Sequence, residues 1–201
     1  MGTSFTFAFT LQGAEAAPPP PLSRMVVHLP AGIGLDVRGL ARCPPSRLRA
    51  GGPASCPRGS LIGRGHSVLE VHAGSQTIPE EAIVEAVLAP DRRGRVRLEI
   101  VGRGETPLAQ QTISTAVLSS DRAPYGSKLS VSIPPIPTVA LEPDASILSW
   151  SLTIGRPGAA RGHAPAVSVP RRCPAGGFPF AADFAFADHT SARALARIPC
   201  P

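Results

Sequence analysis

Prolines and glycines recur along most of this chain, and that constrains its fold more than any other feature. The 201 residues include 24 Pro and 20 Gly. Proline removes a backbone donor and clashes with the preceding helical turn, so long helices are disfavoured over most of the chain. Together the two residue types make up 44 of 201 positions, just short of the ~25–30% at which low-complexity disorder becomes the default reading. Here the prolines punctuate apolar runs instead of forming one tract, which reads as short strands separated by frequent turns. The length suffices for a sizeable core, as one large sandwich or two small lobes.

The runs between the breaks alternate. Thr3–Leu11 puts Phe5, Phe7, Phe9 and Leu11 on one face and Thr6, Ala8 and Thr10 on the other, the pattern of a half-buried strand. Ala14–Pro21 is a stiff connector whose prolines favour an extended left-handed helix. Arg24–Leu29 follows as a strand with Met25, Val27 and Leu29 inward. Pro30–Gly65 is irregular, with a helical turn at Ser46–Ala50 capped by Ser46, packed through Leu48 and ended by Gly51-Gly52. Strands resume at His66–Ala73, Ala82–Ala89, Arg95–Val101, Thr112–Ser119, Lys128–Ile133 and Ser146–Ile154. In the last, Leu148, Trp150, Leu152 and Ile154 form an apolar face opposite Ile147, Ser149, Ser151 and Thr153. Gly155–Pro165 is a flexible, arginine-bearing excursion. Phe178–Ala187 and Arg193–Ile198 close the chain, joined by Asp188-His189-Thr190. Ten or so short strands predict an all-β protein, an antiparallel β-sandwich in a single domain over 1–201 with an irregular loop at 30–65. Phenylalanine rows in the first strand and in Phe178–Ala187 suit packing against each other.

Cys43 and Cys56 lie 13 residues apart, and Cys173 and Cys200 lie 27 apart. Four cysteines allow three connectivities, of which the sequence excludes none; pairing neighbours closes the shortest loops. No Cys-x-x-Cys is present and no histidine stands at ligand spacing from either pair, so a metal site has little support. Disulfides imply an oxidising compartment, extracellular or at the cell envelope. The segment after Met1, Gly2-Thr3-Ser4-Phe5, has neither the basic start nor the unbroken apolar run of a secretory leader. A start inside a longer open reading frame reconciles the two observations. No stretch approaches the ~18–20 apolar residues of a membrane span.

The net charge is +6, and Lys128 is the only lysine. Arginine, alanine, glycine and proline are abundant together, as codon bias in a GC-rich genome produces. The basic clusters Arg92-Arg93-Gly94-Arg95-Val96-Arg97 and Arg171-Arg172 lack interleaved aromatics for base stacking, so nucleic acid is not an expected partner.

Catalytic constellations are weak. Gly65-His66-Ser67-Val68-Leu69 begins like a nucleophile elbow, but Leu69 stands where the second glycine must permit the turn that exposes the serine. His66, Glu70 and His72 share one strand face, yet the two histidines are separated by ~20 Å, too far to share an ion. His28, His163 and His189 fall in different segments. Glu80, Glu81, Asp91, Asp121, Asp144 and Asp188 mostly read as turn residues capping backbone donors. A glycan-cleaving site would need two carboxyls ~5–9.5 Å apart across a cleft, beside Trp150 or Tyr125 for sugar stacking. Gly63-Arg64-Gly65 and Gly102-Arg103-Gly104 read as arginine-glycine turns and not as phosphate loops.

Leu40-Ala41-Arg42-Cys43, followed by Cys56-Pro57-Arg58-Gly59-Ser60-Leu61-Ile62-Gly63, resembles a segment of large uncharacterised exported proteins of high-GC actinobacteria. There a Cys…Cys-Pro-x-x-Ser-x-Ile-Gly stretch precedes a run of β-strands and a closing Pro-Cys. The counterparts here are Cys173-Pro174, Phe178–Phe186 and Pro199-Cys200. The resemblance spans most of Leu29–Pro201 and implies export, β-structure and disulfides Cys43–Cys56 and Cys173–Cys200. It implies no activity. The expectation is a non-enzymatic exported structural, adhesive or binding module without cofactor or metal, its partner a polymer or protein of the cell envelope. A glycan-binding or glycan-hydrolysing β-sandwich is the alternative. A third option is an anion-binding surface built on Arg92, Arg93, Arg95 and Arg97.

Overall fold

The computed structural model describes residues 4–14, 17–74, 76–106, 109–155, 166–170 and 172–199. Within them lie twelve strands: β1 (Phe5–Thr10), β2 (Leu22–Pro30), β3 (Gly34–Asp36), β4 (Leu61–Ala73), β5 (Gln76–Arg92), β6 (Arg95–Gly104), β7 (Gln111–Ser120), β8 (Tyr125–Ser132), β9 (Ser146–Ile154), β10 (Ala166–Ser168), β11 (Phe178–Phe186) and β12 (Ser191–Ile198). One helix, α1 (Pro45–Gly51), and a 3₁₀ turn at Pro53–Ser55 complete the described elements. The protein is all-β and antiparallel, as its turn-broken alternation predicts.

Ten strands form one sheet in the order β1-β9-β4-β5-β6-β7-β8-β2-β11-β12, while β3 and β10 pair separately. The two-layered core comes from this one sheet curling into a half-barrel. Its ends meet through the two phenylalanine rows: Phe5 stacks on Phe180 with ring centroids 5.5 Å apart, and Phe9 meets Phe184 edge-on at 5.0 Å. Between the layers Met25, Val84, Leu88, Leu98, Ile100, Val131 and Leu152 are buried. Each such side chain contributes about 1.5–3 kcal/mol through burial.

Several elements differ from the sequence reading for local reasons. β4 begins at Leu61, five residues earlier than expected, and Gly63-Arg64-Gly65 is strand instead of turn. The glycines are there because β9 passes close: a Cβ on Gly65 would sit 1.8 Å from the Ser151 carbonyl oxygen, and one on Gly63 2.8 Å from that of Thr153. β5 starts at Gln76, so Glu80 and Glu81 lie in a strand and not a turn. Pro79 is tolerated because β6 reaches β5 only from Ala82, leaving the proline on an unpaired margin. β9 has the expected bounds but carries a bulge: Val68 pairs Ser149, whereas Leu69 pairs Ile147. The extra residue turns Ile147 inward, 7% exposed, instead of leaving it with the serines.

The irregular segment is stapled. Cys43 and Cys56 are bonded, with Cα atoms 5.3 Å apart. α1 spans the expected turn and buries Leu48, but Ser46 does not cap it; the chain enters through Pro44 and Pro45, where a missing donor costs nothing. Gly52, at φ 63°, ends it by donating its N–H to Leu48 O at 2.8 Å. Leu48 and Cys43 press on Val87 and Val101 from outside the barrel, with Cys56, Leu61 and Ile113 around them. β5 and β6 are therefore buried on both faces. Cys173 is also held in a disulfide; its expected partner Cys200 and residues 156–165 of the excursion lie outside the described residues.

Candidate functional site

Alternation along β2 sends Met25 and Val27 inward and leaves His28 on the outer face, between β8 and β11. Its ring lies between two carboxylates. Nδ1 is 2.5 Å from Asp121 Oδ2, at the turn after β7, and Nε2 is 2.8 Å from Asp183 Oδ2 on β11. The Tyr125 ring stands 5.1 Å from the imidazole. Each ring nitrogen thus has a carboxylate oxygen within hydrogen-bonding distance. Lys128 Nζ approaches Asp121 to 4.0 Å, and Arg193 Nη1 approaches Asp183 to 3.4 Å. Basic and acidic side chains thus alternate in a line, Lys128, Asp121, His28, Asp183, Arg193, from β8 across β2 and β11 to β12.

Burial opposes ionisation of Asp121, but the hydrogen bond with His28, the amide of Arg122 and the nearby charges of His28 and Lys128 outweigh it. Its carboxyl is held below the ordinary aspartate range. Two carboxyls therefore do face each other beside Tyr125, the arrangement a glycosidase would need. The imidazole fills the space between them and engages an oxygen of each, where a hydrolase keeps room for a glycosidic oxygen or water. The cluster ties three parts of the sheet together.

Two further carboxylates are buried on the outer face beside the cap. Glu99, 2% exposed, accepts from Arg97 Nη2 at 2.5 Å and from Thr115 Oγ1 at 3.0 Å. Glu85 accepts from Arg103 at 3.2 Å, with Arg64 Nε 3.7 Å away. Arg97 is thus turned toward Glu99, and of the arginines in the basic cluster Arg92, Arg93 and Arg95 are exposed, at the β5–β6 turn. That turn has positive φ at Arg93 and Gly94, matching the twist of a tight hairpin.

Ser67 is buried, and its hydroxyl donates to Ser149 O at 2.9 Å, which makes it a cross-strand tie and not a nucleophile. His66, Glu70 and His72 are spread along one face of β4; among the described residues no three His, Cys, Asp or Glu side chains could hold one ion. Trp150 points inward onto Phe7 and Phe9. Asp188 accepts from the Thr190 hydroxyl and amide, the turn-capping role expected of it. The sequence offered no signal for the cluster around His28: its members are 93 and 155 residues apart and meet only through the sheet order.

The barrel interior holds two voids of about 70 Å³ each, separated by Met25, Ile100, Val131 and Trp150. Ligand pockets run to roughly 300–1,000 Å³, so these are packing defects on that scale. Outside the barrel, an open trough of about 490 Å³ runs along β1, β9 and β4, lined by Ala8, Thr10, His66, Val68, Ser149 and Ser151. No described helix is long and apolar enough to cross a membrane. No protein-family model, curated protein or solved structure matches the chain.

Proposed function

We propose that the protein is a non-enzymatic structural or adhesive module of the cell exterior or envelope, acting through its surface. The observation that carries this reading is the Cys43–Cys56 bond. Such bonds persist in oxidising compartments and are kept reduced in the cytosol. Here the bond holds a cap over Val87 and Val101, so a structural element depends on it. The polar clusters support the same reading. His28, Asp121, Asp183, Glu85 and Glu99 are engaged by neighbouring side chains, the build of a rigid scaffold.

The experiment is fractionation of cells producing the tagged chain, with thiols blocked before lysis. Recovery in the medium or envelope fraction with Cys43 and Cys56 unmodified is the expected result. Recovery in the cytosol with both alkylated rejects the proposal.

A glycan-binding reading has one observation in its favour. The trough outside β1, β9 and β4 offers Thr10, Ser149, Ser151 and His66 to sugar hydroxyls. Retention on purified envelope glycan, lost on His66→Ala with Ser149→Ala, would favour it. Hydrolysis has less support, because His28 occupies the gap between the facing carboxyls.

A further inference from the structure

The two ends of the sheet are unlike each other. At one end β1 packs Phe5 and Phe9 onto Phe180 and Phe184 of β11. At the other, β12 continues one strand further and pairs with β11 alone among the described strands. All eight of its residues are exposed, including Leu195 at 73% and Ile198 at 48%. The register with β11 puts Ala192, Ala194, Ala196 and Ile198 on the barrel side, beside the buried Phe184, Ala182, Phe180 and Phe178. Among the described residues β12 therefore overhangs the edge of the opposite layer, with no strand paired on its outer edge and none packed on its inner face. An unprotected edge of this kind is a template for another strand.

We propose that a second copy of this chain covers it, each copy laying its β12 along the free edge of the other's β1. The chain supplies both halves of the contact. Ten strands alternate in direction across the sheet, so β1 and β12 run oppositely. A two-fold axis parallel to the strands then places β12 of each copy antiparallel to β1 of the other. It continues each layer into the opposite layer of the other copy and sets the two inner β12 faces against each other. This is a closed, self-complementary contact, which cannot propagate into fibres.

The two sheet edges favour this arrangement over direct β12-to-β12 pairing, which would leave both β1 edges uncovered. Direct β12-to-β12 pairing centred on Leu195 would oppose Arg193 of one copy to Arg197 of the other, and like charges across strands are destabilising. The outer face of β1 offers only Thr6, Ala8 and Thr10. The size is adequate: strand lengths and spacings put the buried surface on the order of 600 Å² per copy, about 1,200 Å² in all, the lower end of stable interfaces. The inference stands on the sheet edges and holds whatever else the module binds.

The test is sedimentation of the full chain across a dilution series, paired with hydrogen exchange on the same samples. A dimer at micromolar concentration is expected, with amides of both Phe5–Thr10 and Ser191–Ile198 losing protection together on dilution. Ala194→Lys with Ile198→Lys, both on the inner face of β12, should raise the dimer dissociation constant at least about tenfold; both side chains are exposed, so the monomer should keep its circular dichroism. A monomer at every concentration overturns the proposal, as does a dimer that protects β12 but not β1, or a double variant that dimerises as tightly as the parent. If the double variant does not fold, the exchange pattern of the parent chain decides.

Discussion

Asp183 Oδ2 lies 2.8 Å from Nε2 of His28, joining β11 to β2 on the outer face through residues 155 positions apart. The other ring nitrogen engages Asp121, whose side chain is only 9% exposed. Replacing His28 by Leu removes the shared partner of both aspartates and leaves the Asp121 side chain largely buried without its histidine partner. Stranding a buried charge costs several kcal/mol, discounted here because Asp183 is partly solvated; the expected loss is about 1–3 kcal/mol. Urea denaturation measures it. Adding Asp121→Asn to His28→Leu should recover part of the loss.

Acid should reveal the same cluster. The Asp121 carboxyl is held below its ordinary range in the folded chain. A depressed carboxylate contributes stability above its unfolded value, about 3.9, and that contribution is lost as pH falls through the folded value. The urea midpoint of the wild type should therefore drop below pH ~4 more steeply than that of Asp121→Asn. Asp36 is a control: the hydrogen bonds with Arg38 push it down to about 2, yet the pair lies in open solvent, where such bridges contribute little. Asp36→Asn should leave the midpoint unchanged at neutral pH.

The stapled cap can be weakened in two independent ways. Leu48 is fully buried against Val87 and Val101, so Leu48→Ala should cost about 2–4 kcal/mol with the disulfide intact. Cys43→Ala with Cys56→Ala opens a short loop, for which the expected loss is about 3 kcal/mol. The two losses should fall short of additive, because both act on one contact. A thermal or urea double-mutant cycle reads this directly.

Two glycines of the same sheet should respond oppositely to alanine. Gly65→Ala drives a methyl group into the Ser151 carbonyl and should abolish or severely impair folding. Gly102→Ala meets nothing within 4 Å and should be neutral or stabilising by up to about 1 kcal/mol. Soluble yield and melting temperature separate them.

What the sequence disclosed followed physical rules that act locally. β9 was legible because its outward serines and threonine alternate with apolar residues facing the core, and α1 because two glycines stop it. β5 was read at about half its length. Its outer face carries the buried Glu85, Val87 and Ala89, Val87 under the cap, so the alternation that marks a half-buried strand disappears. Gly63 and Gly65 resembled a turn because the reason for them, the approach of β9, comes from a strand some 85 residues away. The His28 cluster was invisible for the same reason. The closure of the barrel was foreshadowed by two phenylalanine rows, since Phe9 and Phe184 find each other on burial grounds alone.

Disulfide mapping of the chain recovered from its own compartment tests the account most directly. Digestion without reduction, after alkylation of free thiols, should yield one linked peptide pair containing Cys43 and Cys56, with neither residue alkylated. Alkylated Cys43 or Cys56, or Cys43 linked to Cys173 or Cys200, would contradict both the stapled cap and the compartment it implies.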